Sequence, residues 1–456
     1  MSRQRYKLHL LAPTTGTHVF EFVESLTMLP ITHLTLASLT PGHYDITIMD
    51  ETIEDIEPVP CDLVAISVMY FTAQKGYELA KWYRERNIPV IMGGGHATLC
   101  PDEVRPNCDC LVIGEVDETW GDILQDFEDG ELKAEYRETK KPSLAGLPPL
   151  PFNLIDRKKY EIKNIVQTGR GCSFGCDFCA IGPLNGRKRR HKPVEEVVQE
   201  IKRSIKGTRG IERRMLFFTD DNIVNDPVYA KELFKAIAPL KIWWGSQCAL
   251  SIAYDDELLD LAKKSGCIGL FIGFETANQT ALDKVHKNYD ATSFSRYIKK
   301  IKKKGIIILG SFLFGLDQDG PDIFKDTVRF CMDNGIDLVN FHIVSPTPGT
   351  AFFNKLKEEG RLLHYNWTYY QENSTYKPKG MTIEQLQQGQ LWAYEEYFSP
   401  KNIIKRLLGY WRSPLLFGLT LYTNLNFRKK MNIGVRHQRK FLKYYNREIL
   451  RLQDAD

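Results

Sequence analysis

Asn164-Ile165-Val166-Gln167-Thr168, followed without a break by Gly169-Arg170-Gly171-Cys172-Ser173-Phe174-Gly175-Cys176-Asp177-Phe178-Cys179, is the stretch on which the fold turns. The first five residues read as a short β-strand, and the rest as a loop with three thiols at spacings of four and three. Glycines at 169, 171 and 175 let the backbone curl so that the sulfurs can converge. Thiolates are the ligands of iron–sulfur clusters. Three of them leave one iron of a cubane without a protein ligand, an open position for a substrate or cofactor. Zinc is the competing reading, but zinc sites usually pair Cys-x-x-Cys units with a fourth Cys or His. No second Cys-x-x-Cys is present, and His191 lies 12 residues beyond Cys179.

Outward from this loop, residues 161–355 alternate strand and helix. Strands are predicted at 164–168, 215–218, 241–246, 267–274, 305–313 and 338–344, with helices at 193–204, 227–238, 257–265, 291–304 and 320–334. Six β/α units predict a partial (β/α)6 barrel, whose active site lies at the C-terminal ends of its strands. The cysteine loop begins at such an end. Residues 1–125 alternate too, with apolar runs at 8–12, 45–49, 63–68, 89–92 and 111–113 and helices at 26–39 and 73–86. That pattern predicts a flavodoxin- or Rossmann-like α/β domain with a parallel, doubly wound sheet. Ligands of such sheets bind at the carboxyl ends of the strands. Here those ends read Pro13-Thr14-Thr15, Asp50-Glu51-Thr52, Met69-Tyr70-Phe71, Gly93-Gly94-Gly95-His96-Ala97-Thr98 and Gly114-Glu115. Residues 126–160 are charged and then proline-rich, a linker or a wrapping segment. Residues 356–456 read as mostly helical. The expected domains are therefore 1–128, a linker at 129–160, the barrel at 161–355 and a basic helical region at 356–456.

With 456 residues, 43% hydrophobic and 26% charged, the composition suits a globular protein of two or three domains and is too apolar for disorder. The first residues lack a signal-peptide core. The nearest approach to a membrane span, 414–427, is interrupted by Thr420, Thr423 and Asn424. A cytoplasmic location is expected. Ten cysteines at irregular spacings argue for metal or redox use of a subset rather than a disulfide scaffold. The net charge of +4 hides an asymmetry: residues 401–456 carry 13 Lys and Arg against 3 Asp and Glu (net +10), leaving 48 against 54 (net −6) elsewhere. A basic tail on an acidic body suits an anionic partner such as a membrane surface, nucleic acid or charged substrate, or is simply a solvated helix.

Cys172-x-x-x-Cys176-x-Phe178-Cys179, placed after the first strand of a β/α barrel, resembles the signature of the radical S-adenosylmethionine (SAM) superfamily. The resemblance implies a [4Fe–4S] cluster on Cys172, Cys176 and Cys179, with the open iron chelated by the amino and carboxylate groups of SAM. Reductive cleavage then gives methionine and a 5′-deoxyadenosyl radical that abstracts hydrogen. It also implies that Phe178 packs near the adenine. In Phe218-Thr219-Asp220-Asp221-Asn222, an acid stands where relatives bind the methionyl amino group, although the glycines usual there are missing; as residues alone, these equally cap a helix. Gln247 and Glu275 fall at strand ends where a ribose lies. Phe314, in Phe312-Leu313-Phe314-Gly315, and the segment Pro346-Thr347-Pro348-Gly349-Thr350 resemble the fifth- and sixth-strand segments of relatives.

A flavodoxin-like domain ahead of such a barrel resembles the cobalamin-binding subclass of that superfamily. The likeness implies that cobalamin is held by the strand-end residues quoted above, from Thr14 and Thr15 through Gly114 and Glu115. One departure stands out. Many cobalamin domains carry Asp-x-His-x-x-Gly, whose histidine ligates cobalt, whereas Asp50-Glu51-Thr52-Ile53-Glu54-Asp55 has Thr52 at that position. Met69, Tyr70 and Phe71 could cover the lower corrin face instead, or simply pack in the core. Residues 365–399, with Lys377-Pro378-Lys379-Gly380-Met381-Thr382, resemble the C-terminal region of hopanoid-type C-methylases.

These resemblances imply cobalamin-dependent methylation of an unactivated carbon. The alternatives are a cobalamin-associated cyclase or rearranging enzyme, a methylthiotransferase, and a non-catalytic iron–sulfur or cobalamin carrier or sensor. Cys61, Cys100, Cys108 and Cys110 do not resemble the second three-cysteine site of a methylthiotransferase, and nucleic acid is not an expected partner. Expected partners are an external electron donor of flavodoxin or ferredoxin type and a small-molecule or lipid-like substrate. The tail mixes Lys and Arg with Trp411, Leu415, Leu416, Phe417, Leu419, Leu421, Phe427, Phe441 and Tyr444, a combination that can lie on an anionic membrane. The plainer alternative is a terminal helix packing its apolar face on the barrel. No acid–base residue is legible.

Overall fold

The computed structural model describes residues 4–14, 27–287, 289–370, 373–408 and 414–453. Thr15 and Trp411 lie outside the described residues, as do the side chains of Leu415, Leu416 and Leu419. Residues 4–14, 27–173 and 180–217 form one compact unit; residues 174–179, with those described from 218 onward, form another.

The first unit is built on six parallel strands: β1 (Tyr6–Ala12), β2 (Tyr44–Asp50), β3 (Leu63–Ser67), β4 (Val90–Gly93), β5 (Cys110–Ile113) and β6 (Glu135–Arg137). Their order is β2-β1-β3-β4-β5-β6. The first five follow the doubly wound plan, in which the chain leaves β1 for opposite sides and opens a crevice at the strands' carboxyl ends. Both faces of the sheet are covered. Leu8, Leu10, Leu63 and Ala65 share one core with Trp120 and Ile123, while Leu11, Val64 and Ile66 share the other with Leu79 and Tyr83. Burial on both sides explains why these strands read as continuous apolar runs.

The charged stretch ahead of the prolines holds a strand that the sequence reading did not expect. Glu135-Tyr136-Arg137 carries no apolar signal because it is a short, charged edge strand, the kind that resists further pairing. Farther on, Tyr160 is buried with Leu29, Leu34 and Ile165, and its hydroxyl donates to Asp50 Oδ2 at 2.9 Å. Next come β7 (Ile165–Val166), β8 (Gly169–Arg170), β9 (Arg190–His191) and β10 (Met215–Phe218). In this unit the Phe217 amide donates to the Asn164 carbonyl at 3.0 Å. β8 and β9 pair antiparallel, and the cysteines lie in the excursion between them.

In the second unit β11 (Trp243–Cys248), β12 (Cys267–Glu275), β13 (Ile307–Phe314) and β14 (Leu338–Ile343) run parallel in the order β14-β13-β12-β11. All six strands expected of the barrel, β7 and β10–β14, have therefore formed. Helices Pro227–Ile237, Asp256–Lys264, Phe294–Lys303 and Ile323–Asp333 follow the expected alternation. The first of them starts where Asp226 Oδ1 accepts from the amides of Val228 (3.1 Å) and Tyr229 (3.2 Å), with Pro227 in the first turn.

The C-terminal region is helical at Ile383–Tyr397, Pro400–Leu407 and Pro414–Gln453. Met431, Val435, Leu442 and Tyr445 are buried at helical spacing. Arg406 donates to Asn424 Oδ1 (2.6 Å), and Gln438 to Asn373 Oδ1 (3.0 Å). The terminal helix thus packs one face into its own unit, as the plainer reading of the tail expects. No helix among the described residues is long and apolar enough to cross a membrane.

Asp319, after β13, is buried, and its Oδ2 accepts from the amides of Gly315 and Leu316, each at 2.9 Å. Burial outweighs those bonds and, with Asp317 nearby, pushes its carboxyl up to about 7. A carboxyl with a raised folded pKa favours folding below its unfolded pKa and loses that contribution as pH climbs through the folded value. Asp319 therefore costs stability progressively between about pH 4 and about pH 7. Asp319→Asn is expected to gain on the wild type in thermal melts at about pH 8 relative to about pH 5. An offset equal at both would show that Asp319 does not titrate in this window.

Candidate functional site

In the first unit a cavity of about 280 Å³ opens at the carboxyl ends of β3, β4 and β5. Of the residues predicted there, Met69, Gly93, Gly94, Gly95, Thr98, Gly114 and Glu115 line it. The others are engaged locally. The Thr14 amide donates to Glu51 Oε2 (2.8 Å), and Lys75 pairs with Glu51 at 3.2 Å. Asp50 Oδ1 accepts from the Thr52 amide (3.0 Å) and hydroxyl (2.7 Å). Tyr70 and Phe71 stack edge-on at 5.1 Å, His96 Nε2 faces Glu103 Oε1 at 3.2 Å, and Ala97 is buried. Among the described residues, no histidine lines the cavity.

Sequence reasoning missed most of the wall. Ile31, Thr35, Leu36 and Leu39 form one stripe of the helix Ile31–Leu39, a face that helical periodicity could have revealed. Ala65, Ile91, Val112 and Trp120 supply the apolar floor. Gln167, Arg170, Leu184 and Asn185, on either side of the cysteine loop, close the wall. No local signal marks them as pocket residues.

Two of the glycines are required by the backbone itself. Gly94 has φ +97°, and a Cβ there would lie 2.7 Å from the Val68 carbonyl and 2.8 Å from Ser67 Oγ. Gly114 has φ +94°, and its Cβ would strike Glu138 Oε2. Thr98 joins the two turns: its hydroxyl donates to the Gly94 carbonyl (2.9 Å) and accepts from the Gly114 amide (3.0 Å). The glycine triplet is thus first a turn device, and the bare backbone it leaves forms the cavity rim.

Glu115 was expected to face a ligand, yet its carboxylate is committed to arginines of the β8–β9 hairpin. Arg170 Nη1 donates to Glu115 Oε2 (2.6 Å) and Asp117 Oδ2 (2.7 Å), and Nη2 to Asp117 Oδ1 (2.9 Å). Arg190 Nη2 donates to Glu115 Oε1 at 2.5 Å. Lys141 pairs with Glu138 at 2.8 Å and stands 3.6 Å from Glu115. Burial alone would raise the Glu115 carboxyl, but hydrogen bonds and charge from Arg190 and Arg170 hold it below the ordinary glutamate range.

Around the cysteines, Gly171 (φ +93°) has room only for hydrogen, since a Cβ would meet the Lys188 carbonyl at 2.7 Å. The Cys172 amide donates to the Gly186 carbonyl at 3.3 Å. In the second unit the Cys179 amide donates to the Cys176 carbonyl (3.1 Å), and Asp177 Oδ1 lies 2.8 Å from His286 Nδ1. All three thiols are half-buried, and Phe178 is partly buried. Asp220 and Asn222 are buried, Asp221 is half-buried, and Gln247 is exposed. Asn222 Oδ1 accepts from the Ala249 amide at 2.9 Å. Glu275, held at φ +65°, pairs with Lys287 at 2.9 Å, and that ammonium lies over the rings of Phe174 and Tyr289. Against the pull of burial, the Glu275 carboxylate keeps Lys287 charged well beyond its ordinary range. Phe314 is fully buried between Phe324 and Phe341, so its ring is spent on core packing.

Two family models match parts of the chain. Residues 166–331 match the model of the radical SAM superfamily, and residues 37–124 match that of the B12 binding domain. The chain therefore carries a radical SAM domain and a B12-binding domain. It is 28% identical over 416 residues to the bacteriochlorophyllide d C-12(1)-methyltransferase of Chlorobaculum tepidum, covering 89% of this chain and 90% of the relative. The hopanoid C-2 methylase of Rhodopseudomonas palustris is 27% identical over 346 residues, 73% of this chain and 64% of that one. The fold is shared with the methyltransferase TsrM of Kitasatospora setae, solved with cobalamin and a [4Fe–4S] cluster (TM-score 0.67, 14% identity, 97% of this chain and all of that one).

These domains imply a [4Fe–4S] cluster, SAM and cobalamin as cofactors. The residues present fit both prosthetic groups. Three half-buried thiols on one loop are the donor type that an iron–sulfur cluster takes. An apolar cavity with hydroxyls and a glycine-lined rim suits the nucleotide portion of cobalamin.

Because Gly94 needs a left-handed backbone and close approach, Gly94→Ala is expected to cost about 1–3 kcal/mol or more in urea unfolding. Gly93→Ala, whose Cβ would meet Val112 at an ordinary 3.6 Å, should stay within about 0.5 kcal/mol of wild type. Equal losses would contradict the turn argument.

Proposed function

We propose that the chain is a cobalamin-dependent radical SAM methyltransferase acting on an unactivated carbon of a small-molecule substrate. One observation carries the reading: residues on both sides of the cysteine loop, Arg170 before and Asn185 after, wall the cavity at the B12-domain strand ends. The names of the relatives, methyltransferases in both cases, support the reaction class.

In this reading Cys172, Cys176 and Cys179 would hold the cluster. Phe178, Asp220 or Asp221 with Asn222, Gln247 and Glu275 would surround SAM, Glu275 oriented by Lys287. Gly93–Gly95, Met69, Thr98 and Gly114 would receive cobalamin. Bound, these groups supply reductive cleavage of SAM and carriage of a methyl group, chemistry that no side chain provides. The protein's share is to bind, orient and exclude water: the apolar floor under the rim keeps water out, and Thr98 fixes the two turns. An external electron donor of flavodoxin or ferredoxin type completes the reaction.

Anaerobic reconstitution with iron, sulfide and cobalamin tests the proposal. Wild-type protein is expected to retain corrin absorbance through gel filtration, to form 5′-deoxyadenosine, and to yield a product heavier by one CH2 unit. Cys172→Ala, Cys176→Ala and Cys179→Ala should each lose the cluster's absorbance and 5′-deoxyadenosine formation. A product of unchanged carbon count would replace methylation with a cyclase or rearrangement; retained activity in the cysteine variants would overturn the site.

We also propose that the terminal helix rests on an anionic membrane surface. Opposite its buried face, Tyr422, Leu425, Ile433 and Tyr444 are exposed alongside Lys429, Arg436, Lys440, Lys443 and Arg447. Each basic group near an anionic surface contributes about 1 kcal/mol. Lys429→Glu, Arg436→Glu and Lys440→Glu together are expected to cut sedimentation with phosphatidylglycerol vesicles by roughly a hundredfold. Unchanged sedimentation would leave the face as solvated surface.

A further inference from the structure

Two arginines bracket the approach to Cys172. Arg170 precedes it by two residues, and Arg190 stands opposite Arg170 in the antiparallel pairing of β8 with β9. The hairpin is drawn tight: a Cβ at Gly169 would collide with the Arg190 carbonyl. Arg170 Nε donates to Gln167 Oε1 (2.9 Å), and both its Nη atoms reach the Glu115 and Asp117 carboxylates. Arg190 shares Glu115 and also donates to the carbonyls of Pro142 (2.9 Å) and Asn185 (3.2 Å). Arg170, Glu115, Asp117 and Asn185 are at the same time cavity wall.

The charges balance. Arg170, Arg190 and Lys141 face Glu115, Asp117 and Glu138, and Glu138 Oε2 also receives the Glu115 amide at 3.4 Å. A neutral, multiply bonded ion network resists deformation, because moving one charge strands its partners in a place that water reaches poorly. Planar guanidinium forks hold carboxylates in a fixed direction, which a lysine cannot do. The wall of the cavity and the start of the cysteine loop are therefore one stiff body.

We propose that Arg170 and Arg190 are positioning residues that couple cofactor occupancy of the cavity to retention of the cluster. An occupant that orders the Glu115–Asp117 turn also orders, through the two guanidinium groups, the hairpin that presents Cys172. Coupling between two binding events is reciprocal. Cobalamin in the cavity slows loss of iron, and an assembled cluster tightens the hold on cobalamin. This inference rests on the proposed sites for cobalamin and the cluster.

The test uses full-length protein reconstituted anaerobically, with or without hydroxocobalamin, and follows cluster bleaching by an iron chelator. In wild type, cobalamin is expected to slow bleaching about tenfold, within the usual range of such couplings. In Arg170→Lys, which keeps the charge but not the fork, and in Asp117→Asn, protection should shrink to about twofold or less. The ratio of rates with and without cobalamin is the readout, since a general loss of stability would speed both and leave the ratio unchanged. Protection as large in both variants as in wild type overturns the inference. So does wild-type protein that holds iron and cobalamin yet shows no protection, a result that leaves the site assignment standing. If Cys172→Ala holds as much iron as wild type, or wild type retains no cobalamin, the site assignment fails and the coupling fails with it. Melting curves identify any variant that does not fold, and Arg190→Lys then takes its place.

Discussion

The Arg170 guanidinium, bonded at once to Glu115 and Asp117, is the interaction on which the candidate site depends. Each partner alone would be a poorly solvated charge and a liability. Breaking one member of a buried pair typically costs about 3–5 kcal/mol, although the intact pair adds little net stability. Such a network is therefore better understood as setting geometry than as strengthening the fold. It fixes where the hairpin lies against the strand ends of the first unit. With it are fixed the cavity wall and the point from which the cysteine loop departs.

A second constraint is steric. Gly94 and Gly114 turn the chain out of β4 and β5 through backbone conformations that L-side chains rarely adopt, and Thr98 bonds one turn to the other. The space above them exists because no Cβ can occupy it. Structural need and ligand access coincide at these positions, so a glycine triplet read from sequence is evidence for a turn first and for a cofactor second.

Much of the fold was legible because the relevant forces are local in sequence. Strands buried on both faces must be apolar throughout, and helices buried on one face must repeat at helical spacing; all five front strands and all six barrel strands follow. β6 escaped because an edge strand needs no apolar side chains. Within the site, the cysteine motif, the glycine turn and Glu115 were visible as residue types. Thr14, Asp50, Glu51 and Thr52 stood at a plausible strand end, but short side chains beside free backbone amides bond to one another first, and they do not line the cavity.

The sequence alone determined the chemistry on offer, three thiols in one loop behind a barrel strand, and the order of the elements carrying it, since both follow from residue type and short-range periodicity. Only the tertiary structure decided that Arg170 and Arg190 reach back to Glu115 and Asp117. Those partners lie 53 to 75 residues apart along the chain, and no local pattern encodes a pairing over that distance. It also decided that the basic terminal helix buries one face, because which stripe of an amphipathic helix meets a core depends on the surface folded against it.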